Sequence, residues 1–475
     1  MNLRSLLSNP VTPVSSPLTD RAISAGSAPD GVADKLPYDE APFSAFHRRV
    51  ILAAISGAGS DGFEIGVIGL ALHSAAPALQ LSPLWLGLLG GAALMGLFFG
   101  ALLAGPLADK IGRRPIFGSN MILIAILSTL QFFVHNAGEL FVLRFAIGVL
   151  LGTDYVVSKA ILMEFSPRKR RGRIMSMLAI AWAAGYVCSY FVGYALAGVG
   201  VDGWRWILLS GAIPAIISAP LRLTIPESPA WLVSQGRVAH AARIVERHLG
   251  PKIGLPGALP GSEQGWRLRT LFSRRWYRRT IVGATFFTCQ VIPYFALGTF
   301  VSKVMEALHV ADDSHAGLIY NVFLLLGAIV GWTIIDMLPR RTFLIGSFGV
   351  ASGALAILTW WPAPPEALII VAFAVVAFTL SAASCLCYVY LTELFPTSLR
   401  GSGIGIAVAA SRLGSAASTF LLPLVVAALD VRWALGSCVV TTLVGAGVCF
   451  AWAPETRHTR LDEIGDDESL SASLR

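Results

Sequence analysis

Apolar residues along this chain do not alternate with polar ones at the spacing of a half-buried helix or strand; they run on in long unbroken blocks. A helix needs about 20 apolar residues to cross a hydrocarbon layer roughly 30 Å thick. Reading for such blocks gives twelve. In the first half they lie near Val50 to Leu79, Leu86 to Leu107, Ile116 to Phe133, Leu140 to Phe165, Ile174 to Leu196 and Trp204 to Leu223. In the second half they lie near Ile281 to Val304, Leu318 to Leu338, Phe343 to Trp361, Ala367 to Leu394, Gly403 to Leu429 and Trp433 to Trp452. The pattern predicts an all-α integral membrane protein with twelve transmembrane helices.

Composition agrees. Of 475 residues, 55% are hydrophobic and 13% charged, against roughly a quarter charged in a soluble domain. The formal charge of +8 would alone suit a nucleic-acid binder. However, the basic residues lie between apolar runs rather than on one polar face, so the surroundings expected are a lipid bilayer and no nucleic acid. Residues 1–45, rich in Ser, Pro, Ala and Gly, lack the apolar core of a secretory signal and read as a disordered cytoplasmic tail. All six cysteines fall inside predicted spans, where small packing residues are expected rather than disulfides or a zinc site. The eight histidines are scattered and no Gly-x-x-x-x-Gly-Lys-Ser/Thr loop occurs, so neither a membrane enzyme, a cofactor nor ATP-driven transport is expected.

Loops give the orientation, because short cytoplasmic loops hold an excess of Lys and Arg. One alternate set carries Arg48 and Arg49, then Lys110, Arg113 and Arg114, the run Arg168 to Arg173, the stretch after the sixth span, Arg340 and Arg341, Arg400, and finally Arg457 and Arg460. The opposite loops, such as His135 to Glu139 and Trp361 to Glu366, carry almost none. Both termini are expected in the cytoplasm.

The two halves repeat one another. Asp109-Lys-Ile-Gly-Arg113-Arg114 recurs as Asp336-Met-Leu-Pro-Arg340-Arg341 at an offset of 227 residues, and Glu164 with Arg171-Gly172 recurs as Glu393 with Arg400-Gly401 at an offset of 229. Acid and base in register twice predict a duplicated six-helix unit, and parallel repeats of this kind bind substrate at mid-membrane between the halves. The expected organisation is a bundle over 46–223, a cytoplasmic linker over 224–279, a second bundle over 280–453 and a tail over 454–475. Within the linker, Pro229 to Leu249 has the pattern of a surface helix and Gly250 to Gly261 is a flexible break. Trp266 to Arg279 either lies against the anionic inner leaflet or only marks topology.

Ionisable residues at membrane depth are costly, so each is a functional candidate. Asp61 and Glu64, spaced i, i+3, share a face of the first span. Two carboxylates close together in a low-dielectric cavity cannot both ionise easily, which suits a proton carrier; a structural polar contact among Gly57, Gly59 and Gly62 is the competing reading. Asp154 sits near the middle of the fourth span, and Lys159, nearer the cytoplasm, either snorkels, pairs with an acid or meets substrate. Arg412, deep in the eleventh span between Ser411 and Ser415, needs an acceptor, and a guanidinium matches carboxylate or phosphate in a bidentate way. An organic anion and a buried carboxylate of the first half are both open as that acceptor.

Several motifs resemble those of the major facilitator superfamily, over the region from about Arg48 to Thr456. Gly105-Pro-Leu-Ala-Asp109-Lys-Ile-Gly112-Arg113-Arg114 resembles the signature loop after the second span, and Arg144 to Gly148 the Arg-x-x-x-Gly pattern of the fourth. Pro226-Glu227-Ser228-Pro229-Ala-Trp231-Leu232, Glu393-Leu-Phe-Pro396-Thr397 with Arg400-Gly401, and Pro454-Glu455-Thr456 are similar to the sugar-porter branch. Asp61-Gly-Phe-Glu64 and Gly152-Thr-Asp154-Tyr155 are similar to elements of bacterial metabolite:proton symporters, while the seventh span holds a lone Gln290 followed by Pro293-Tyr294 where sugar porters have a paired Gln.

The resemblance implies alternating access, with Arg144 as partner to a proton-carrying carboxylate. Glu64 is favoured over Asp61 as that carrier because it matches the first-span acid of both branches. Asp109, Arg113 and Arg114 would gate the inner side, with Glu164, Arg171, Asp336, Arg340, Arg341, Glu393 and Arg400 at corresponding positions. Gln290, Tyr294, Asn321, Tyr388 and Trp182 would line the substrate cavity with Arg412. The function expected is a proton-coupled symporter of a small polar or anionic metabolite, working as a monomer. A proton-antiporting exporter is the alternative, and a non-transporting sensor a further one.

Overall fold

The computed structural model describes residues 35–167, 170–196, 198–200, 202–257, 268–311, 313–335, 337–395 and 397–456. Twelve helices in it are long and apolar enough to cross a membrane. The first six are Ala45–Ala78, Pro83–Ile111, Arg113–Phe133, Ala137–Phe165, Ile174–Leu196 and Gly203–Leu223. The second six are Tyr277–Thr299, His315–Ile334, Arg340–Trp360, Glu366–Glu393, Ser402–Ala428 and Val431–Trp452. Apolar runs place them well because in lipid every backbone polar group must bond within its own segment.

The duplication read from the loops is a duplication of packing. In the first half, span one packs along span five, two along four, and three along six. In the second half the pairs are seven with eleven, eight with ten, and nine with twelve, the same arrangement six spans on. Between halves, span two meets eleven and span five meets eight, again equivalent pairs. Without a hydrophobic drive between helices in lipid, close approach rests on small residues. Gly148 and Gly152 of the fourth span lie against the backbone of Ala93 and Leu97, so a side chain at either would collide with the second span. The glycine of the Arg-x-x-x-Gly pattern is therefore a packing residue.

At the end of the molecule opposite the basic loops, the halves are joined. Three tyrosines on the fifth span, four residues apart, reach across. The Tyr186 hydroxyl lies against Gly298 of the seventh span, Tyr190 Oη lies 2.9 Å from Ser302 Oγ, and Tyr194 Oη lies 3.2 Å from His315 Nε2. Gly317 leaves the space that the Tyr190 hydroxyl enters.

The surface-helix stretch of the linker is divided. It forms two helices, Pro229–Ser234 and Val238–His248, because Gly236 takes φ +72°, a left-handed conformation that ends a helix cheaply only at glycine. The seventh span begins at Tyr277 rather than Ile281, absorbing the end of the basic aromatic segment. Expectations for the tails before residue 35 and after 456, for Arg168 and Lys169, and for Trp266 lie outside the described residues.

Candidate functional site

Each buried acid of the first half is built into a pocket by a helix feature. The sixth span is broken into Gly203–Ser210 and Ala212–Leu223, and a side chain at the break, Gly211, would collide with the Glu64 carboxylate. Glu64 is fully buried there. Ser128 donates to it, Arg144 Nη1 lies 3.3 Å from Oε2, and Arg144 Nη2 donates to the Glu64 carbonyl at 2.8 Å.

Asp154 is held by a residue that sequence reasoning missed, Arg222 near the end of the sixth span. Arg222 Nη1 bonds Asp154 Oδ1 and Nη2 bonds Oδ2 at 2.8 Å, while Ser158 Oγ donates to Oδ2 at 2.8 Å. The guanidinium also donates to the carbonyls of Ala53 and Phe117 at 3.3 and 3.4 Å and lies 4.3 Å over the Phe117 ring. Both partners have no exposed side-chain surface. The available signal is a single arginine near the end of an apolar run.

The expected Asp61 and Glu64 pair is split. Three residues along a helix leave side chains about 60° apart around the axis, enough to send Glu64 to Arg144 and Asp61 toward Asp154. Asp61 sits within hydrogen-bonding reach of Asp154, and its Oδ1 is buried with no hydrogen-bond partner among the described residues.

A cavity of about 60 Å³ lies between the halves. Trp182, Gln290, Tyr294 and Arg412 line it, joined by Tyr155, Ser384 and Cys387. Asn321 is not among the lining residues: it is buried and donates to the Gly317 carbonyl at 2.9 Å. Gln290 spends its amide on the Leu380 carbonyl at 2.9 Å. The Tyr388 side chain lies outside the described residues. Ser411 and Ser415 bond carbonyls of their own helix and leave the Arg412 head to other partners. Its Cζ lies 4.9 Å from the centroid of the Tyr155 ring, and Lys159 Nζ lies 3.1 Å from the same centroid.

At the basic-loop end the two halves carry matched networks. Gly112, at φ +96°, turns the chain into the third span, whose first amides at Arg113 and Arg114 donate to Glu227 at 3.0 and 3.2 Å. The ninth span begins likewise, with Arg340 and Arg341 amides donating to Glu455 at 2.9 and 3.0 Å. A carboxylate at a helix start satisfies orphan amides and the positive end of the dipole. Arg113 Nε bonds Glu164 at 3.0 Å and Nη2 lies 3.7 Å from Asp109; Arg340 Nε lies 3.5 Å from Glu393. Thr456 Oγ1 donates to Glu393 at 2.6 Å, whereas Ser228 Oγ caps the first linker helix by accepting from the Trp231 amide at 3.1 Å. Arg171 turns to Asp39 at 3.0 Å instead. Gly105 faces open space. Asp336 and the Arg400 side chain lie outside the described residues. Glu227 and Glu455 were read only as parts of motifs, since nothing in a Pro-Glu-Ser or Pro-Glu-Thr stretch names the helix it caps.

The chain belongs to the sugar (and other) transporter family, whose model matches residues 50–467. It is 38% identical over 428 residues to the inner membrane metabolite transport protein YgcS of Escherichia coli (strain K12), a match spanning 90% of this chain and 96% of that one. Among solved structures, the partially occluded inward-open form of the xylose transporter XylE from E. coli aligns with a TM-score of 0.73 at 20% identity, covering 88% of this chain and 100% of that one. The major facilitator proton:xylose symporter XylE bound to 6-bromo-6-deoxy-D-glucose aligns at 0.68 and 22% identity, covering 89% and 99%. The fold is the major facilitator fold.

Proposed function

We propose that this chain is a secondary transporter that moves a small polar or anionic organic metabolite by alternating access in symport with protons. It works as a monomer in the lipid bilayer of the inner membrane, with both termini in the cytoplasm. The bodies that rock are the bundles over 46–223 and 280–453, joined by the linker over 224–279 and flanked by the tails over 1–45 and 454–475. The similarity to a metabolite transport protein and to the fold of a proton symporter supports the class. The matched networks around Asp109, Arg113, Arg114 and Glu164, and around Arg340, Arg341 and Glu393, serve as the inner gate; by position Asp336, Arg171 and Arg400 belong with them.

The observation that carries proton coupling is Asp61, buried beside Asp154 with one oxygen lacking a partner. Two carboxyl groups in contact hold one proton between them more readily than two charges. Asp154 is pinned by Arg222, which leaves Asp61 as the group that takes and gives the proton. Glu64, enclosed by Arg144, Ser128 and the broken sixth span, positions the first span. In proteoliposomes offered labelled sugars, carboxylates and aromatic acids, Asp61→Asn should abolish accumulation driven by a pH gradient while substrate-for-substrate exchange survives. Undiminished accumulation in Asp61→Asn would overturn this assignment.

A further inference from the structure

We infer that residues 36–41, a strap ahead of the first span, are a working part of the inner gate: Tyr38 is the hydrogen-bond donor for the second oxygen of Glu164, and Asp39 keeps Arg171 from taking that place. The inference rests on the gate reading above and adds two positioning residues to it.

The strap is fastened to the linker and to the loop after the fourth span. Pro37 holds the backbone for the single turn Tyr38–Glu40. Leu36 forms a parallel bridge with Ile253, its amide donating to the Lys252 carbonyl and its carbonyl accepting from the Gly254 amide, both at 2.8 Å. Ala41, Val245 and Ile253 make a small buried cluster, and the Tyr38 ring packs against it. Asp39 reaches Arg171 at 3.0 Å.

Two polar atoms at this place lack partners of complementary kind. Glu164 Oε1 accepts from Arg113 Nε at 3.0 Å, but its Oε2 is buried with no hydrogen-bond partner among the described residues. The Tyr38 hydroxyl oxygen is likewise buried without a partner among them. Burial, then the charges of Glu164 and Asp39, raise this hydroxyl above its ordinary value of 10.0, against the opposing charge of Arg171. It therefore keeps its proton and is available to donate. A buried donor and a buried acceptor are each costly to leave single, and a small shift of the strap satisfies both. The second half has the contact already made: at the corresponding acid, Thr456 Oγ1 donates to Glu393 Oε2 at 2.6 Å beside Arg340.

Arg171 is the competing donor. Its Nη2 goes to Asp39 and, with Nε, to the Ser166 carbonyl at 3.1 and 3.4 Å. The Asp39 side chain is 52% exposed, so the pair adds little to folding and serves to hold the guanidinium back. Because the strap is bonded to the linker that joins the halves, rocking of one half against the other is felt at Glu164.

The test uses the full-length protein carrying Ala179→Cys, a reporter on the cavity wall, in inside-out membrane vesicles. The rate at which a membrane-impermeant maleimide modifies residue 179 is followed by peptide mass spectrometry, which resolves it from the native cysteines. Tyr38→Phe deletes one oxygen and keeps the packed ring; it should loosen the inner end and speed modification about threefold to tenfold. Asp39→Asn frees Arg171 for Glu164 and should slow modification about threefold or more. A strap that is only structural moves both rates in the same direction, and an idle hydroxyl leaves Tyr38→Phe at the wild-type rate; either result overturns the inference. Asp39 lies at the surface, so its variant decides the matter even where Tyr38→Phe folds poorly: an unchanged or faster rate in Asp39→Asn overturns the inference alone. Equal rates in all three proteins sink the strap and spare the transporter, whereas a residue 179 that the reagent reaches from neither face of the membrane sinks alternating access and the inference with it.

Discussion

The guanidinium of Arg222 occupies the space that a side chain on Gly57 would need. The first span thus has a notch at residue 57, and the buried ion pair with Asp154 is seated through it. Gly57→Ala should push Arg222 off Asp154. Overpacking costs about 1–3 kcal/mol, and separating a buried pair about 3–5 kcal/mol, so the variant should show a large drop in Tm and in yield of monodisperse protein. A Tm within a degree or so of the wild type would mean that the notch is dispensable.

Asp109→Asn should behave in the opposite manner. Asp109 has 60% of its side chain exposed and lies 3.7 Å from Arg113, and such surface pairs contribute about 0–1 kcal/mol. Its Tm should therefore stay close to that of the wild type while turnover in proteoliposomes falls severalfold, because the balance between open and closed inner gates changes. Full transport in this variant would remove Asp109 from the gate.

Orientation is checked by single cysteines at Asn136 and Arg170, labelled from outside intact cells with an impermeant maleimide. Asn136, at the start of the fourth span, should react. Arg170 belongs to the strongly basic loop and should stay unlabelled until the cells are opened. Labelling of Arg170 in sealed cells would invert the topology.

His248, the last residue of the second linker helix, rests on Phe46 with ring centroids 4.6 Å apart. Burial, with the charges of Arg247 and Arg49, lowers its pKa from 6.5. The folded form therefore favours the neutral ring. Above pH 6.5 both folded and unfolded chains carry it neutral, and the contribution to stability is complete; as pH falls through the lowered folded value, the unfolded chain is favoured. Unfolding midpoints measured between pH 7.5 and 5 should drop more steeply in the wild type than in His248→Phe. Parallel slopes would show that the contact is insensitive to acid.

What the chain discloses unread and what it conceals divide along a physical line. Span positions, the duplication and the loop chemistry depend on residues adjacent in sequence, so twelve helices and the Arg113 and Arg340 repeats are legible from the string alone. Partnerships between distant helices are not. Arg222 and Asp154 are 68 residues apart, and only the turn of two helices decides that Asp61 meets Asp154 rather than Glu64. Helix breaks are similarly hidden: Gly211 is one glycine among many until the Glu64 carboxylate is found beside it. Arg412 was legible as a buried cation in want of an acceptor.

The tyrosines at 186, 190 and 194 carry a kinetic implication. A seal made of one continuous apolar face must part all at once, and its barrier grows with its area. Here two of the rungs are single hydroxyl contacts one helical turn apart, at Tyr190 and Tyr194, each contributing about 0.5–1.5 kcal/mol. They can be released in order from the rim inward, every freed hydroxyl finding water as it goes. These polar contacts lie beside apolar packing shared by the two halves, so the part of the barrier that they add comes in small steps rather than one.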